Sequence, residues 1–167
     1  MFGKKKPYDS TQDTMEHIRN VQGKIGIVIA ALAERAINHD KSKLDSPEKE
    51  VFDEMTPKLK GSTYGSPEYK AFLEEMRPAL LHHYWNNRHH PEYFDHHYHT
   101  GCTGISAIFH MNLIDVIEMF CDWAAASERH ADGDLGKSID VSAERFHLGP
   151  ELTYIFKNTI EIIQKGG

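Results

Sequence analysis

From about Gln12 the apolar residues Ile18, Val21, Ile25, Val28, Ile29, Leu32 and Ala36 recur at steps of three and four. That period predicts an amphipathic helix with one buried stripe. Gly23 and Gly26 interrupt it and predict a break into two helices, since glycine is costly inside a helix. Ser46-Pro47-Glu48 predicts a helix start, with serine as N-cap, proline at the first helical position and an acid in the first turn. Ser66-Pro67-Glu68 repeats the device. The first of these helices is expected to reach about Leu59 and the second about Asn87, with residues 60–65 as a loop. Pro91 disfavours α geometry at His90 and should end the histidine-bearing helix. Residues 93–104 lack a period and read as a loop at the mouth of a pocket. Residues 106–130 read as the strongest later helix, with Ile108, Met111, Leu113, Ile117, Phe120, Cys121 and Ala124 available for burial. Asp132-Gly133-Asp134 with Gly136 reads as a turn. A short helix over 141–146 and a last one over about 150–164 complete the chain. No strand alternation, repeat or dividing linker is present. The expectation is an all-α, single-domain helical bundle over residues 11–167, behind a disordered leader at 1–10.

Composition changes that picture little. At 167 residues, 40 % hydrophobic and 26 % charged, the chain is long enough to bury a core. A net charge of −6 argues against a general nucleic-acid-binding face. The run Lys4-Lys5-Lys6 reads as a solvated terminus. Cys102 and Cys121 form no CxxC pair, so neither a disulfide framework nor a thiolate zinc site is expected, and a reduced cytoplasmic setting fits. The longest apolar run, residues 25–33, falls far short of the roughly 20 residues of a membrane span, and no signal-peptide pattern opens the chain. A homodimer is compatible with the sequence.

Candidate chemistry lies in residues 82–93, HHYWNNRHHPEY, which hold four of the twelve histidines together with Asn86, Asn87 and Glu92. Imidazoles gathered in this way point to metal or proton chemistry. Upstream stands His39-Asp40-Lys41-Ser42-Lys43. A carboxylate can bridge two cations while the neighbouring imidazole holds one, and such donors suit Fe, Mn, Zn, Co or Ni. The order is His17, then His39-Asp40, then His83 with His89-His90, then an aspartate on a late helix. The plainer alternatives are a helix-end imidazole at His39, hydrogen-bonding neighbours at His82 and His89, and a solvated Lys43. His96, His97 and His99 read as loop residues, and His110 and His130 as structural ones. His17 and His39 lie 22 positions apart, roughly 33 Å along an unbroken helix, so they share an ion only if the helix folds back at Gly23–Gly26. Asp115 and Asp122 share a face but sit roughly 10 Å apart along its axis. Both cannot ligate one ion, so Asp115 and Glu118 are candidates for outer contacts or substrate.

This order of residues resembles the HD-domain superfamily of metal-dependent phosphohydrolases, and in detail its HD-GYP and oxygenase branches. His39–Lys43 looks like their HDxGK motif, which makes Lys43 the lysine facing substrate. His89-His90-Pro91-Glu92-Tyr93-Phe94-Asp95 looks like their HHE segment. Residues 112–125, with Cys121-Asp122-Trp123-Ala124-Ala125, match the helix supplying the last ligand, which the resemblance assigns to Asp122. A nearer likeness, covering almost the whole chain, is to an uncharacterised HD-like family frequent in phage genomes. Its HDxSKL, ygSpEYK, HYxxNRHHPEyF and MxLIDxxEMxxDWxAA motifs read here as residues 39–44, 64–70, 83–94 and 111–125. Ser42 departs from the glycine usual after HD, and the His17–His39 gap is short. No GYP signature follows the HHE-like segment, which argues against cyclic di-GMP specificity.

The resemblance implies one or two divalent transition-metal ions held by His17, His39, Asp40, His83, His90 and Asp122, with His82, His89, Asp115 and Glu118 as further candidates. Implied roles are catalytic for Asp40 and Lys43, with Lys43 also substrate-binding. From the residues themselves, Glu92 is a catalytic candidate that either activates the water or braces an imidazole, Asn87 and Arg145 are substrate-binding candidates, and Lys137 is a second late basic residue that could reach an anionic substrate. The expected activity is hydrolysis of a small phosphate ester, a nucleotide by preference, through a metal-activated water. The alternatives are a mixed-valent di-iron oxygenase on the same ligands, and a non-enzymatic phage-type interaction protein whose metal is structural.

Overall fold

A computed structural model describes residues 8–63, 65–98, 106–129 and 133–165. Among them are eight α-helices, two short 3-10 turns and no strand, so the chain is all-α as expected. The expected leader falls largely on residues 1–7, and Cys102, His99 and His130 also lie outside the described residues. No helix among the described residues is long and apolar enough to cross a membrane. Two units make up the chain, residues 1–37 and 38–167.

The first unit is occupied by α1, Thr11–Asn38. Asp9 opens it by accepting hydrogen bonds from the Thr11 amide (3.0 Å) and hydroxyl (2.6 Å). Gly23 and Gly26 do not break it. Each costs about 1 kcal/mol against alanine, a local penalty that does not interrupt the ladder of this 28-residue helix. The expected buried stripe is not found either: no residue of α1 is buried, and Ile18, Val21, Ile25, Val28 and Ile29 are each more than two-fifths exposed. A lone helix has no second layer within its own unit.

The second unit begins with a 3-10 turn, Lys41–Leu44, and α2, Glu48–Gly61. Ser46 does not cap α2. The Asp45 carbonyl accepts from the Glu48 and Lys49 amides instead, at 3.1 and 2.9 Å. At the next start the reading holds: Ser66 accepts from the Tyr69 amide at 3.1 Å, and α3 spans Pro67–Glu75. The helix expected to continue to Asn87 divides at Met76 into α3 and α4, Arg77–Asn86. Pro78 has no N–H for the Glu74 carbonyl and so cannot extend the ladder. Met76, 1 % exposed, anchors the joint in the core.

After a turn carrying His89 and His90, Pro91 opens α5, Pro91–Tyr98, in place of the expected loop. Proline at the first helical position and Glu92 in the first turn favour a helix there, and Phe94 is fully buried. His96 stacks on Trp85 at 4.2 Å and His97 on Tyr93 at 4.0 Å, while His110 stacks on Tyr98 at 4.6 Å.

The strongest later helix starts later than its period suggested. A 3-10 turn, Ala107–His110, precedes α6, Leu113–Ser127. Asn112 accepts from the Ile114 and Asp115 amides (2.8 and 3.0 Å) and Asp115 accepts from the Asn112 amide (3.1 Å), forming a capping box. Met119, Phe120 and Ala124 are buried, whereas Leu113, Ile117 and Cys121, counted on for burial, are exposed. Asp134 accepts from the Lys137 amide and opens α7, Leu135–Phe146, so Gly136 is helical and the helix is longer than the expected 141–146. The last helix, α8, is Pro150–Gln164 as expected. Helices α6, α7 and α8 close one core of Met119, Phe120, Ala124, Leu135, Ile139 and Phe156, with the Phe120 and Phe156 rings stacked at 5.0 Å.

Candidate metal centre

Asp40 stands between the end of α1 and the 3-10 turn with φ 55° and ψ 16°. Non-glycine residues seldom take this left-handed conformation, though aspartate and asparagine do so more readily than others. The bend turns the chain and places His39 and Asp40 beside the α4–α5 turn and α6. Asp40 Oδ1 lies 3.3 Å from His83 Nε2 and 3.4 Å from His89 Nε2. Asp40 Oδ2 lies 2.6 Å from Lys43 Nζ and 3.6 Å from His39 Nε2, and His39 Nε2 is 3.7 Å from Asp122 Oδ1. His83 Nε2 and His90 Nε2 approach to 3.0 Å.

Three groups of donors result: Asp40 with His83, His89 and His90; His39 with Asp40 and Asp122; and His39 with His89 and Glu118. Asp40 belongs to the first two. The residues fit a transition metal on three counts. Nitrogen and oxygen donors are mixed. Asp40 Oδ1 and His89 Nε2 are buried without a hydrogen-bond partner, an unfavourable state that a cation would relieve. Two imidazole nitrogens at right angles on one ion, each about 2.1 Å from it, would be about 3 Å apart, as the His83 and His90 pair is.

Around the centre, carboxylates hold the far nitrogens of the rings. Glu118 Oε1 is 2.9 Å from His39 Nδ1 and 3.2 Å from His89 Nδ1. Glu48, fully buried, lies 2.7 Å from His82 Nδ1 and 2.9 Å from His83 Nδ1. In the sequence Glu48 reads only as a first-turn acid. Its one discernible signal is its place at the start of the helix after HDKSKL, where a dipole-matched acid is so common that it draws no notice.

Electrostatics follow from this packing. Burial opposes ionisation of Asp40, but the close approach of the His83 and His89 rings and the Lys43 ammonium outweighs it and holds the carboxyl well below the usual range. Asp122 is likewise held low, burial being outweighed by the nearby His39 imidazole. Asp122 and then Glu118 raise His39 to about 10. Burial, reinforced by the charge of the neighbouring His89, pushes His90 down to about 2.

The other sequence candidates stand elsewhere. His17 is exposed on α1 and belongs to none of the three groups; the helix break on which its pairing with His39 depended is absent. Asp115, fully buried, takes Arg88 Nε and Nη2 at 3.1 and 2.9 Å and caps α6. Asn87 spends its amide on Ser42 Oγ (2.9 Å) and the His83 carbonyl (2.8 Å). Arg145 Nη2 donates to Glu92 Oε1 at 2.6 Å, and Glu92 Oε2 is buried without a hydrogen-bond partner. Lys137 pairs with Asp134 on an exposed helix start.

The chain belongs to DUF5662, a family of unknown function, whose model matches residues 6–165. No curated protein and no solved structure matches it.

Proposed function

We propose that the protein is a metal-dependent phosphohydrolase acting on a small phosphate ester, a nucleotide by preference. One observation carries this reading: the two oxygens of a single carboxylate, Asp40, face two different donor groups. His39 and Asp122 would hold one divalent ion with Asp40, and His83, His89 and His90 the other. The ions would supply Lewis acidity, lowering the pKa of a bound water and neutralising phosphoryl oxygens. Lys43 is close enough to Asp40 to exchange that carboxylate for a phosphate oxygen, a charge-assisted contact. Glu92 keeps one acceptor oxygen unspent, available to orient a water, while Arg145 holds the other.

Metal analysis of the purified protein, followed by a screen against nucleoside mono-, di- and triphosphates, tests the reading. Lys43→Ala should retain the metal and lose on the order of 10²–10³ in kcat/KM, the usual effect of removing one preorganised electrostatic contact. An unchanged kcat/KM removes Lys43 from the mechanism. If every phosphate ester fails and an iron-loaded sample consumes oxygen, the oxygenase chemistry takes its place.

Metal binding should also depend on pH. Below about 10 the metal-free His39 carries a proton that it must lose to ligate. Asp40 and Asp122 are already ionised and His90 is already neutral, whereas His89, also held above its usual range, would give up a proton as well. Affinity should therefore weaken as pH falls, by about tenfold per unit for each proton displaced, and metal addition in weak buffer should release acid. Binding with no proton release would exclude His39 as a ligand.

A further inference from the structure

A fully buried carboxylate must be well partnered to be tolerated, and the partners of Glu48 determine a proton's position. Glu48 Oε1 faces His82 Nδ1 at 2.7 Å, and Oε2 faces His83 Nδ1 at 2.9 Å. Oε2 also accepts from the Ser42 hydroxyl at 3.0 Å. Asn87 Nδ2 donates to Ser42 Oγ at 2.9 Å and to the His83 carbonyl at 2.8 Å, which uses both of its N–H groups. Asn87 Nδ2 is also 3.0 Å and Ser42 Oγ 3.3 Å from His83 Nδ1, so amide, hydroxyl and carboxylate compete for that nitrogen. An ionised carboxylate only accepts. With the amide held by Ser42 and the single Ser42 hydroxyl hydrogen given to Glu48 at the shorter distance, His83 Nδ1 donates to Glu48. A neutral imidazole has a single N–H, so its Nε2 keeps a free lone pair, 3.0 Å from His90 Nε2 and 3.3 Å from Asp40 Oδ1.

We propose that Glu48 is the positioning residue of the centre: with Ser42 and Asn87 it fixes His83 as the Nδ1–H tautomer and so presents Nε2 to a cation. Only the final step rests on the metal reading. Ser42, which stands where the HD pattern has glycine, acquires a role, since glycine has no hydroxyl to hold Asn87 away from His83 and to bond Glu48. His82, two-fifths exposed, occupies the other oxygen and prevents the carboxylate from rotating.

The test is nitrogen NMR of the full-length, metal-free protein labelled at histidine, at mildly alkaline pH, with the His83 signals assigned by their loss in His83→Gln. The parent should show His83 as the Nδ1–H form. In Glu48→Gln the new amide offers one acceptor and one donor group where two acceptors stood, so His83 should shift toward the Nε2–H form. Zinc affinity should fall 10–100-fold, the usual effect of losing such an outer partner, with unchanged stoichiometry at saturation. If Glu48→Gln does not fold, Ser42→Ala decides: it frees the Asn87 amide toward His83 Nδ1 and should move the tautomer the same way. An unmoved tautomer in a folded variant overturns the proposal, even if zinc affinity falls, because a merely structural Glu48 would do the same. A tautomer that shifts in a protein that binds no zinc supports the positioning role and sinks the metal reading instead.

Discussion

Asp40→Asn should abolish metal binding while leaving the chain folded. Asparagine is among the few residues that accept a left-handed backbone, so φ 55° at this position is preserved. What is lost is the charge and one of two oxygens, in a residue that belongs to both donor groups sharing it. Loss of an outer partner typically costs 10–100-fold in metal affinity, so loss of the shared ligand should cost on the order of 10²-fold or more. Thermal unfolding supplies the control. Added metal should raise the Tm of the parent, because a ligand stabilises the state that binds it, and should leave the variant unmoved. Asp40→Ala is a poorer experiment, since alanine adds about 1–2 kcal/mol of backbone strain. Equal metal content in parent and Asp40→Asn would remove this residue from the centre.

Arg88→Ala should destabilise the fold by about 3–5 kcal/mol, the range for stripping the partner from a buried charge. Asp115 is fully buried, and Arg88 is its two-pronged partner, with its guanidinium also over the Phe94 ring at 5.0 Å. Arg88 directly precedes His89 and His90, so this pair clamps the histidine turn to α6. Denaturant unfolding checks the stability, and metal titration gives the contrast. Asp115→Asn should weaken the fold and keep metal at saturation, whereas Asp122→Asn should keep the fold and lose metal. Loss of metal confined to Asp115→Asn would reverse the two roles.

These carboxylates show what a sequence discloses and what it withholds. The seven-residue spacing of Asp115 and Asp122 was enough to exclude both from one ion, and α6 keeps them that far apart. The all-α class and the last helix were legible because a 3.6-residue period and a proline start are local signals. The division at Met76 was also marked locally, by Pro78, within a helix expected to run on to about Asn87. The gathering of His39, His83, His89 and His90 around Asp40 was foreshadowed by composition. Which nitrogen of each ring faces inward was not, because that depends on Glu48 and Glu118 approaching from other helices. Nor could the period of α1 reveal that its stripe has nothing within its own unit to cover it.

Helix α6 presents Asp115, Glu118 and Asp122 on one side and Phe120 and Ala124 on another, so insertions and deletions should be tolerated very unevenly along the chain. One residue added between Asp115 and Asp122 would rotate all that follows by roughly 100°. Asp122 would swing away from His39 while Phe120 and Ala124 left the core, so a single-codon insertion would strike chemistry and packing together. A loop between helices, such as the connection between α2 and α3, accepts extra residues far more readily than a helix interior does. Among members of the family, the distance from Asn112 to Asp122 should thus be constant in length even where its letters differ, and length variation should collect between Gly61 and Pro67.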